Sequence, residues 1–286
     1  MKSIVYSIIA VFIFGIIAMG FTNKANATNI ITIQAADSNI TSVTLAQSAK
    51  IISARLKDFN AGKYSVTIIP AKHQIKVTLD DARDVKSIDS LLTGKGTIAL
   101  YETYSRKNVS SLPGENNDLF SLFKIARAKD TMGKIGCTPS AGVEKINDYL
   151  KTLTPDKKYR FAWSQNFDTS EVCLYALKIT GDKGALITGS DIDSVMFSKD
   201  KKSDRNEIMI NLKKPAVALW AEATKRNIGN AIAIVLDNNV ISAPIVQSVI
   251  AGGHCQITGN FTENEARYIA ALGNNGVLPA SFRILK

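Results

Sequence analysis

Few residues in this chain are equipped for chemistry. Only two histidines, His73 and His254, occur among 286 residues, which excludes a histidine-rich metal site. No C-x-x-C, H-E-x-x-H or EF-hand pattern is present,. His254 and Cys255 are neighbours in an alternating stretch, and adjacent strand residues point to opposite faces, which argues against a Cys–His catalytic pair,. The three cysteines are Cys137, Cys173 and Cys255. An odd number allows at most one bridge. Pairing of Cys137 with Cys173 and burial as free thiols both stay open. Asp80-Asp81 and the Asp191/Asp193 pair are carboxylate pairs at element ends, where Asp serves as a cap or turn former,. Gly94-Lys95-Gly96 and Gly252-Gly253 lack the other positions of a phosphate or dinucleotide loop and read as turn glycines,. The expectation is a non-enzymatic protein with no catalytic residues, no metal site and no cofactor.

Composition narrows the class further. Apolar residues make up 45% of the chain and the formal net charge is +10. That is enough apolar surface for a packed core, and too few apolar runs for a polytopic membrane protein. Ile4 to Phe21 runs for 18 residues without a charge, and Ala25-Asn26-Ala27 follows. The pattern is that of a secretory signal with cleavage after Ala27, marked by Ala25 and Ala27. The run is longer than the roughly 7–15 residues of an ordinary signal core. Cleavage and retention as a single membrane anchor therefore both stay open. Either outcome places the remainder outside the cytoplasm, in a periplasmic or equivalent extracytoplasmic space. The lysines and arginines are scattered, and the densest run, Lys199 to Arg205, is interrupted by Asp200 and Asp204. It reads as a solvated loop, and no nucleic-acid partner is expected.

The elements follow from periodicity. Asn29 to Ala35 is strand-like,. Leu45, Ala49, Ile52, Leu56 and Phe59 recur at helical spacing, with Lys50, Arg55 and Lys57 placed off the stripe,. Strands are expected at 64–69 and 74–79, a short helix at 84–92 and a strand at 97–101. This β-α-β-β-α-β order is that of the split βαβ, ferredoxin-like arrangement. Residues 105–158 are less regular, with short helices expected at 119–128 and 143–150 and strands after them at 159–163 and 171–179. Further on, 207–212 is a strand, Pro215 opens a helix to about Arg226, and Ala231 to Leu236 is a continuous apolar strand,. Asp237-Asn238-Asn239 forms a turn into an extended arm interrupted by Pro244,. His254 to Thr258 is a strand, Thr262-x-x-Glu265 caps a helix to about Leu272, and 281–285 is a closing strand,.

Four stretches, Asn227 to Asp237, Val240 to Pro244, Gly252-Gly253 and Ile257 to Thr262, closely resemble the first periplasmic domain of the SecD/SecDF protein-export family. Leu186 to Ile192 and Gly276 to Ala280 look like the flanks of the same domain. The resemblance is dense from about 187 to 284, weaker over 29–103, and loose over 105–180. It implies an α+β fold with a ferredoxin-like base subdomain and an inserted α+β head subdomain. The expected division is 1–27 signal or anchor, 28–104 base, 105–276 inserted region with the head at about 187–276, and 277–286 a strand returning to the base. In this family the head is thought to contact emerging polypeptide and to move relative to the base. The implied partners are unfolded or exported polypeptide and the Sec translocon or SecDF subunits. The chain stops at Lys286, about where the family's second membrane helix should begin. The family's transmembrane proton path has no counterpart here, so no proton-driven cycle is expected of this chain alone. Another reading keeps the fold but changes the role, making the chain an envelope structural or small-ligand-binding module unconnected with export.

Within this frame the binding candidates are Val240, Ile241, Ile245, Val246, Val249 and Ile250 on the Pro-interrupted arm. Apolar side chains on such an arm can receive an extended chain by strand addition. The competing reading is that part of them packs the core.

Overall fold

A computed structural model describes residues 28–80, 85–110, 118–123, 133–153, 158–165, 171–182 and 184–285. The apolar run at 4–21 and the Ala25/Ala27 signature lie outside the described residues, as does the second half, 124–128, of the helix expected at 119–128. No helix among the described residues is long and apolar enough to cross a membrane.

The first half contains β1 (Thr28–Ala35), α1 (Ser42–Phe59), β2 (Lys63–Ile69), β3 (Gln74–Asp80), α2 (Val85–Thr93), β4 (Ile98–Tyr104), and the short helices α3 (Arg106–Val109) and α4 (Asp118–Ser121). Then come β5 (Lys134–Pro139), α5 (Val143–Thr152), β6 (Tyr159–Trp163), β7 (Glu171–Lys178), β8 (Ile187–Thr188), β9 (Ile192–Lys199) and β10 (Asn206–Leu212). The chain ends with α6 (Lys214–Arg226), β11 (Ile232–Leu236), β12 (Asn239–Ser242), β13 (His254–Thr258), α7 (Glu263–Asn274) and β14 (Phe282–Leu285). Helices pack on sheets whose strand pairs are all antiparallel among the described residues, so the fold class is α+β,.

Local chemistry sets the helix ends. The Thr41 side chain accepts from the Thr44 amide at 3.1 Å to open α1. Asn60 closes it in the left-handed region, at φ 66°,. Thr262 and Glu265 form a reciprocal capping box on α7, with the Glu265 carboxylate 2.7 Å from the Thr262 amide,. Pro215 sits in the first turn of α6, where its missing N–H leaves nothing unsatisfied,.

Three sheets result. The first has order β14-β1-β3-β2 and is antiparallel throughout. Its inner face, with Ile31, Ile33, Ile75, Val77 and Leu79, is buried beneath α1 and α2. Here the expectation from sequence is corrected. The position beside β1 that a continuous β-α-β-β-α-β unit would give to 98–104 is taken by β14. Strand β4 leaves this sheet and pairs instead with β11, β8 and β7. The reason lies in β11, whose five residues are all buried. A strand buried on both faces needs ladder partners on both edges, and β4 and β12 supply them.

The second sheet, order β13-β10-β9, shares one continuous core with the first. Helix α7 lies between them, with Ala266, Ile269, Ala270, Ala271 and Leu272 buried. Strand β9 is not expected from the sequence, because Asp193, Ser194 and Ser198 break its apolar pattern. The charged run is the hairpin tip between β9 and β10. There Lys199 pairs with Asp204 at 2.8 Å, and Asp200 accepts from the Lys202 amide at 2.9 Å.

The third sheet curls on itself. Strand β11 pairs with β12 and β4, β4 with β7, and β7 with β6. Ser164, just after β6, bridges back to Val240 of β12, and the Gln165 amide donates to the Val240 carbonyl at 2.8 Å. The ring encloses Ala162, Tyr175, Leu177, Ala233, Val235 and Val240. Strand β5, a second element unmarked in the sequence, extends the β7 edge. Cys137 and Cys173 oppose each other across that pair and form a disulfide. The lobe built on β5 has its own small core, including Leu119, Phe123, Ile135, Ile146 and Leu174.

Candidate functional site

The site is best built from α6, because the binding-candidate arm and an apolar groove lie on its two sides. Val217 and Thr224 face the arm. The Thr224 hydroxyl accepts from the Ile250 amide at 3.0 Å, and a Cβ on Gly253 would meet the Val217 side chain. Ala216 and Leu219 fall on a different part of the helical circumference, towards the segment 180–191,.

The arm is pinned along its length. The Pro244 carbonyl accepts from the Ile232 amide at 3.1 Å. Gly229 donates to the Val246 carbonyl at 2.9 Å, and Val246 donates to the Asn230 carbonyl at 3.0 Å. Side-chain burial divides the six candidates. Val240, Ile241 and Val246 are buried. Ile245 and Ile250 are partly covered, and Ile250 packs against the main core. Only Val249, 45% exposed, stands in the open. The arm's backbone is already engaged by Gly229, Asn230 and Ile232. The outer edge of β12 at Val240 is engaged by Gln165.

The groove on the other side of α6 has a volume of about 480 Å³. Its floor is Ala185, Leu186, Ala216 and Pro215, and Leu219, 46% exposed, forms one wall. Asp182, Asp191 and Arg226 stand at its rim. Asp191 is a cap, as its position suggests: its carboxylate accepts from the Thr188 amide and hydroxyl at 2.9 and 2.8 Å. Leu219 is not among the residues that sequence reasoning singles out, although a signal is present. Ala216, Trp220 and Ala223 mark the buried stripe of α6, and Leu219 is a large apolar residue that the helix leaves exposed beside it.

Arg226 also borders a small polar cavity of about 170 Å³ with Glu102, Lys178 and Asn230. Its Nε donates to Glu102 at 2.9 Å and a terminal nitrogen donates at 3.2 Å. The Asn227 amide donates to the same carboxylate. Burial alone would raise the Glu102 carboxyl, but the hydrogen bonds from Arg226 and Asn227 and the Arg226 charge outweigh it and hold it below its ordinary value,. No local motif announces this pair, since Glu102 and Arg226 are 124 residues apart.

The remaining polar candidates stand apart from one another. His254 is exposed and Cys255, its strand neighbour, is buried. Burial pushes the Cys255 thiol up to about 11, which keeps it in the unreactive form,. His73 closes the short turn after β2 in the left-handed region, at φ 52°. This surface carries an apolar trough with charge of both signs among its lining residues.

Known proteins fit this geometry. A family model described as the SecDF P1 head subdomain matches residues 172–280. The protein translocase subunit SecD of Aquifex aeolicus is 32% identical over 176 residues, covering 59% of this chain and 32% of that protein. The SecD subunit of Rickettsia conorii is 36% identical over 104 residues, covering 36% of this chain and 20% of its own length. The chain thus spans about a third or less of the curated relatives it matches. The crystal structure of SecDF in its super-membrane-facing form shares the fold over 90% of this chain and 29% of its own, with a TM-score of 0.52 and 18% identity. The chain is similar to the SecD proteins, and its residues 172–280 match the model of the SecDF P1 head subdomain.

Proposed function

We propose that this chain is an extracytoplasmic SecD-like module that assists Sec-dependent protein export by binding unfolded or translocating polypeptide. The observation that carries the reading is the groove on α6. Its volume of about 480 Å³ has room for a side chain or two of an extended segment, and its charged lining residues suit the polar groups of an unfolded chain,. The SecD relatives are named as protein translocase subunits, which points to export as the setting and to the Sec translocon or SecDF subunits as partners. The division into a base (28–104 with 277–286) and an inserted head remains part of this proposal, with β4 acting as the strand that passes from one to the other. So does the arm. Its exposed part, Val249 with Ile245 and Ile250, is read as a secondary contact, while Val240, Ile241 and Val246 support it from within.

The test is photo-crosslinking in cells that hold a stalled export substrate. A photoreactive residue at Leu219 is expected to capture the substrate, and one at Ile245 to capture it less efficiently. One at Val43, 77% exposed on α1, is expected to capture none. Absence of adducts from both Leu219 and Ile245 to the substrate or to Sec subunits would sink the reading. Unchanged secretion kinetics in a deletion strain would favour the envelope module unconnected with export.

A further inference from the structure

Glu102, in β4, is buried at the polar cavity beside α6. Charged and amide side chains reach this cavity from both sides of its strand. Strand β7 pairs with β4 with Leu177 opposite Thr103, so Lys178, the last residue of β7, comes opposite Glu102. From the other side, the turn between α6 and β11 brings Arg226, Asn227 and Asn230. Both Glu102 oxygens are already occupied. Oε1 accepts from Arg226 Nε at 2.9 Å and from the Asn227 amide, and Oε2 accepts from Arg226 Nη2 at 3.2 Å.

The donors are not used up in the same way. The two Arg226 bonds engage Nε and Nη2, which leaves Nη1 without an acceptor among the described residues. The Lys178 ammonium lies over the Tyr104 ring, 5.4 Å from its centroid, and makes no ion pair among the described residues. The Asn230 backbone is engaged, donating to the Asn227 carbonyl at 2.8 Å and accepting from the Val246 amide at 3.0 Å. Its side-chain amide has no partner among the described residues and lines the cavity. Charge shows the same imbalance: Lys178 and Arg226 face Glu102 alone among the lining residues, a balance of 2 − 1 = +1. The group that complements this cavity brings acceptors, one negative charge and little bulk. A carboxylate meets all three conditions. The volume of about 170 Å³ admits one and is too small for a nucleotide,.

Arg226 lines the apolar groove as well as the cavity, so the two are adjoining pockets. Every second side chain of an extended segment points the same way, about 7 Å apart. An apolar and an acidic side chain two residues apart can therefore enter the two pockets together. Asp182 and Asp191 line the groove and repel a carboxylate there,.

We propose that the polar cavity is a carboxylate subsite, in which an acidic side chain of a bound polypeptide pairs with Lys178 and Arg226 while its apolar neighbour fills the groove. This rests on the reading of the α6 groove as a polypeptide site and adds a sequence preference to it. Segments carrying Glu or Asp two residues from a large apolar side chain are taken over segments carrying Gln or Asn there.

The experiment compares two fluorescein-labelled Ser-Gly peptides with three leucines each, one with Glu and one with Gln two residues from every leucine. Anisotropy titrations with the full chain at pH 7 are expected to show the Glu peptide bound about five- to tenfold more tightly. Lys178→Gln is expected to bring that ratio below twofold. Lys50→Gln removes the same charge from the exposed face of α1 and is expected to keep the full ratio, which separates the cavity from the general attraction of a basic protein. Equal binding of the two peptides overturns the carboxylate subsite and leaves the polypeptide reading of the groove standing. A preference that survives Lys178→Gln, or that Lys50→Gln removes equally, also overturns it. So does displacement of the Glu peptide by an equal concentration of free N-acetylglutamate, which would reassign the cavity to a small soluble acid. Failure of both peptides to bind overturns the subsite and the polypeptide reading together.

Discussion

Arg55 and Arg226 each sit near the C-terminal end of an amphipathic helix, yet the fold uses them in opposite ways. Arg55 is enclosed and spends its donors on the backbone carbonyls of Leu91 in α2 and of Gly94, Lys95 and Gly276 in loops. Arg226 has its side chain 47% exposed, is anchored on one carboxylate, and lines both an apolar groove and a polar cavity. Desolvation lowers the Arg55 guanidinium to about 10, which leaves it charged near neutral pH with no carboxylate in direct contact,. The difference teaches where a positive charge is part of the frame and where it stays open to solvent. Burial decides it, together with the kind of acceptor: carbonyls fix backbone, whereas a single carboxylate fixes only the side chain.

The sharpest way to break this contrast is to remove each charge. Arg55→Met takes the guanidinium donors from four carbonyls in a buried site, of which Lys95 keeps the Leu278 amide, and is expected to lower stability by about 3–5 kcal/mol,. The urea midpoint at unchanged slope measures it. Arg226→Met is expected to cost no more than about 1–2 kcal/mol, because Asn227 still donates to Glu102 and the site reaches solvent. Equal losses would erase the distinction between the two arginines.

Glycine substitutions sharpen the same point with no change of charge. Gly96 and Gly229 share φ near 81°. A Cβ at Gly229 meets nothing within 4 Å, whereas at Gly96 it meets Arg55 and the Gly276 carbonyl. Gly229→Ala is expected to cost about 1–2 kcal/mol for the left-handed backbone alone. Gly96→Ala adds the collision and is expected to reach about 3 kcal/mol. Thermal melts of both variants give the comparison, and similar values would mean that the loop yields without consequence for the Arg55 contacts.

The next effect is smaller and depends on pH. The folded Glu102 carboxyl is held below the ordinary 4.5. A carboxyl depressed on folding contributes its stability fully above its unfolded value and loses it as pH falls through the folded value. The unaltered protein is therefore expected to lose stability between about pH 5 and 3 more steeply than Glu102→Gln, by about 1 kcal/mol at most given the exposure of Arg226. Urea midpoints taken at pH 7 and across that acid range test this, and parallel curves would show that the pair carries no net linkage.

Legibility in the sequence divides along the same line. Periodicity and capping signals locate α1, α6, α7 and the strands of the first sheet, because each has one apolar face and a recognisable end. The α+β class follows from their order. What does not follow is partnership. Strand β4 looks like the last strand of a local unit, and only the doubly buried β11 explains why it leaves that unit. Strand β9 is hidden by its polar outer face, and β5 by Gly136 and Pro139, both unfavourable in a strand,. The arm's apolar residues are visible as a group, but three of the six turn inward, and nothing in their order shows which. The Glu102–Arg226 pair spans the chain and has no local signature. Arg55 reads as outward-facing because its charge outweighs its phase, although its spacing to Ile52 and Phe59 belongs to the buried stripe.

The smallest expected effect on stability belongs to the residue with most to say about function. Leu219 is nearly half exposed and makes one wall of the groove. Its replacement by Ser removes little buried surface, and exposed positions on a helix usually change stability by no more than about 0.5 kcal/mol. Leu and Ser differ in helix propensity by a similar few tenths. The folded chain should therefore be indistinguishable in melting temperature and circular dichroism. If the groove takes polypeptide, the same substitution removes an apolar wall that a bound segment would cover, worth about 1–2 kcal/mol of binding, or roughly a tenfold weakening. Fluorescence anisotropy with a labelled, permanently unfolded polypeptide reads that change directly, with Val249→Ser as the partner variant on the arm. A tenfold loss at Leu219 with little change at Val249 would place recognition in the groove. The reverse would move it to the arm, and no loss at either would leave α6 as a scaffold whose exposed leucine serves nothing in binding.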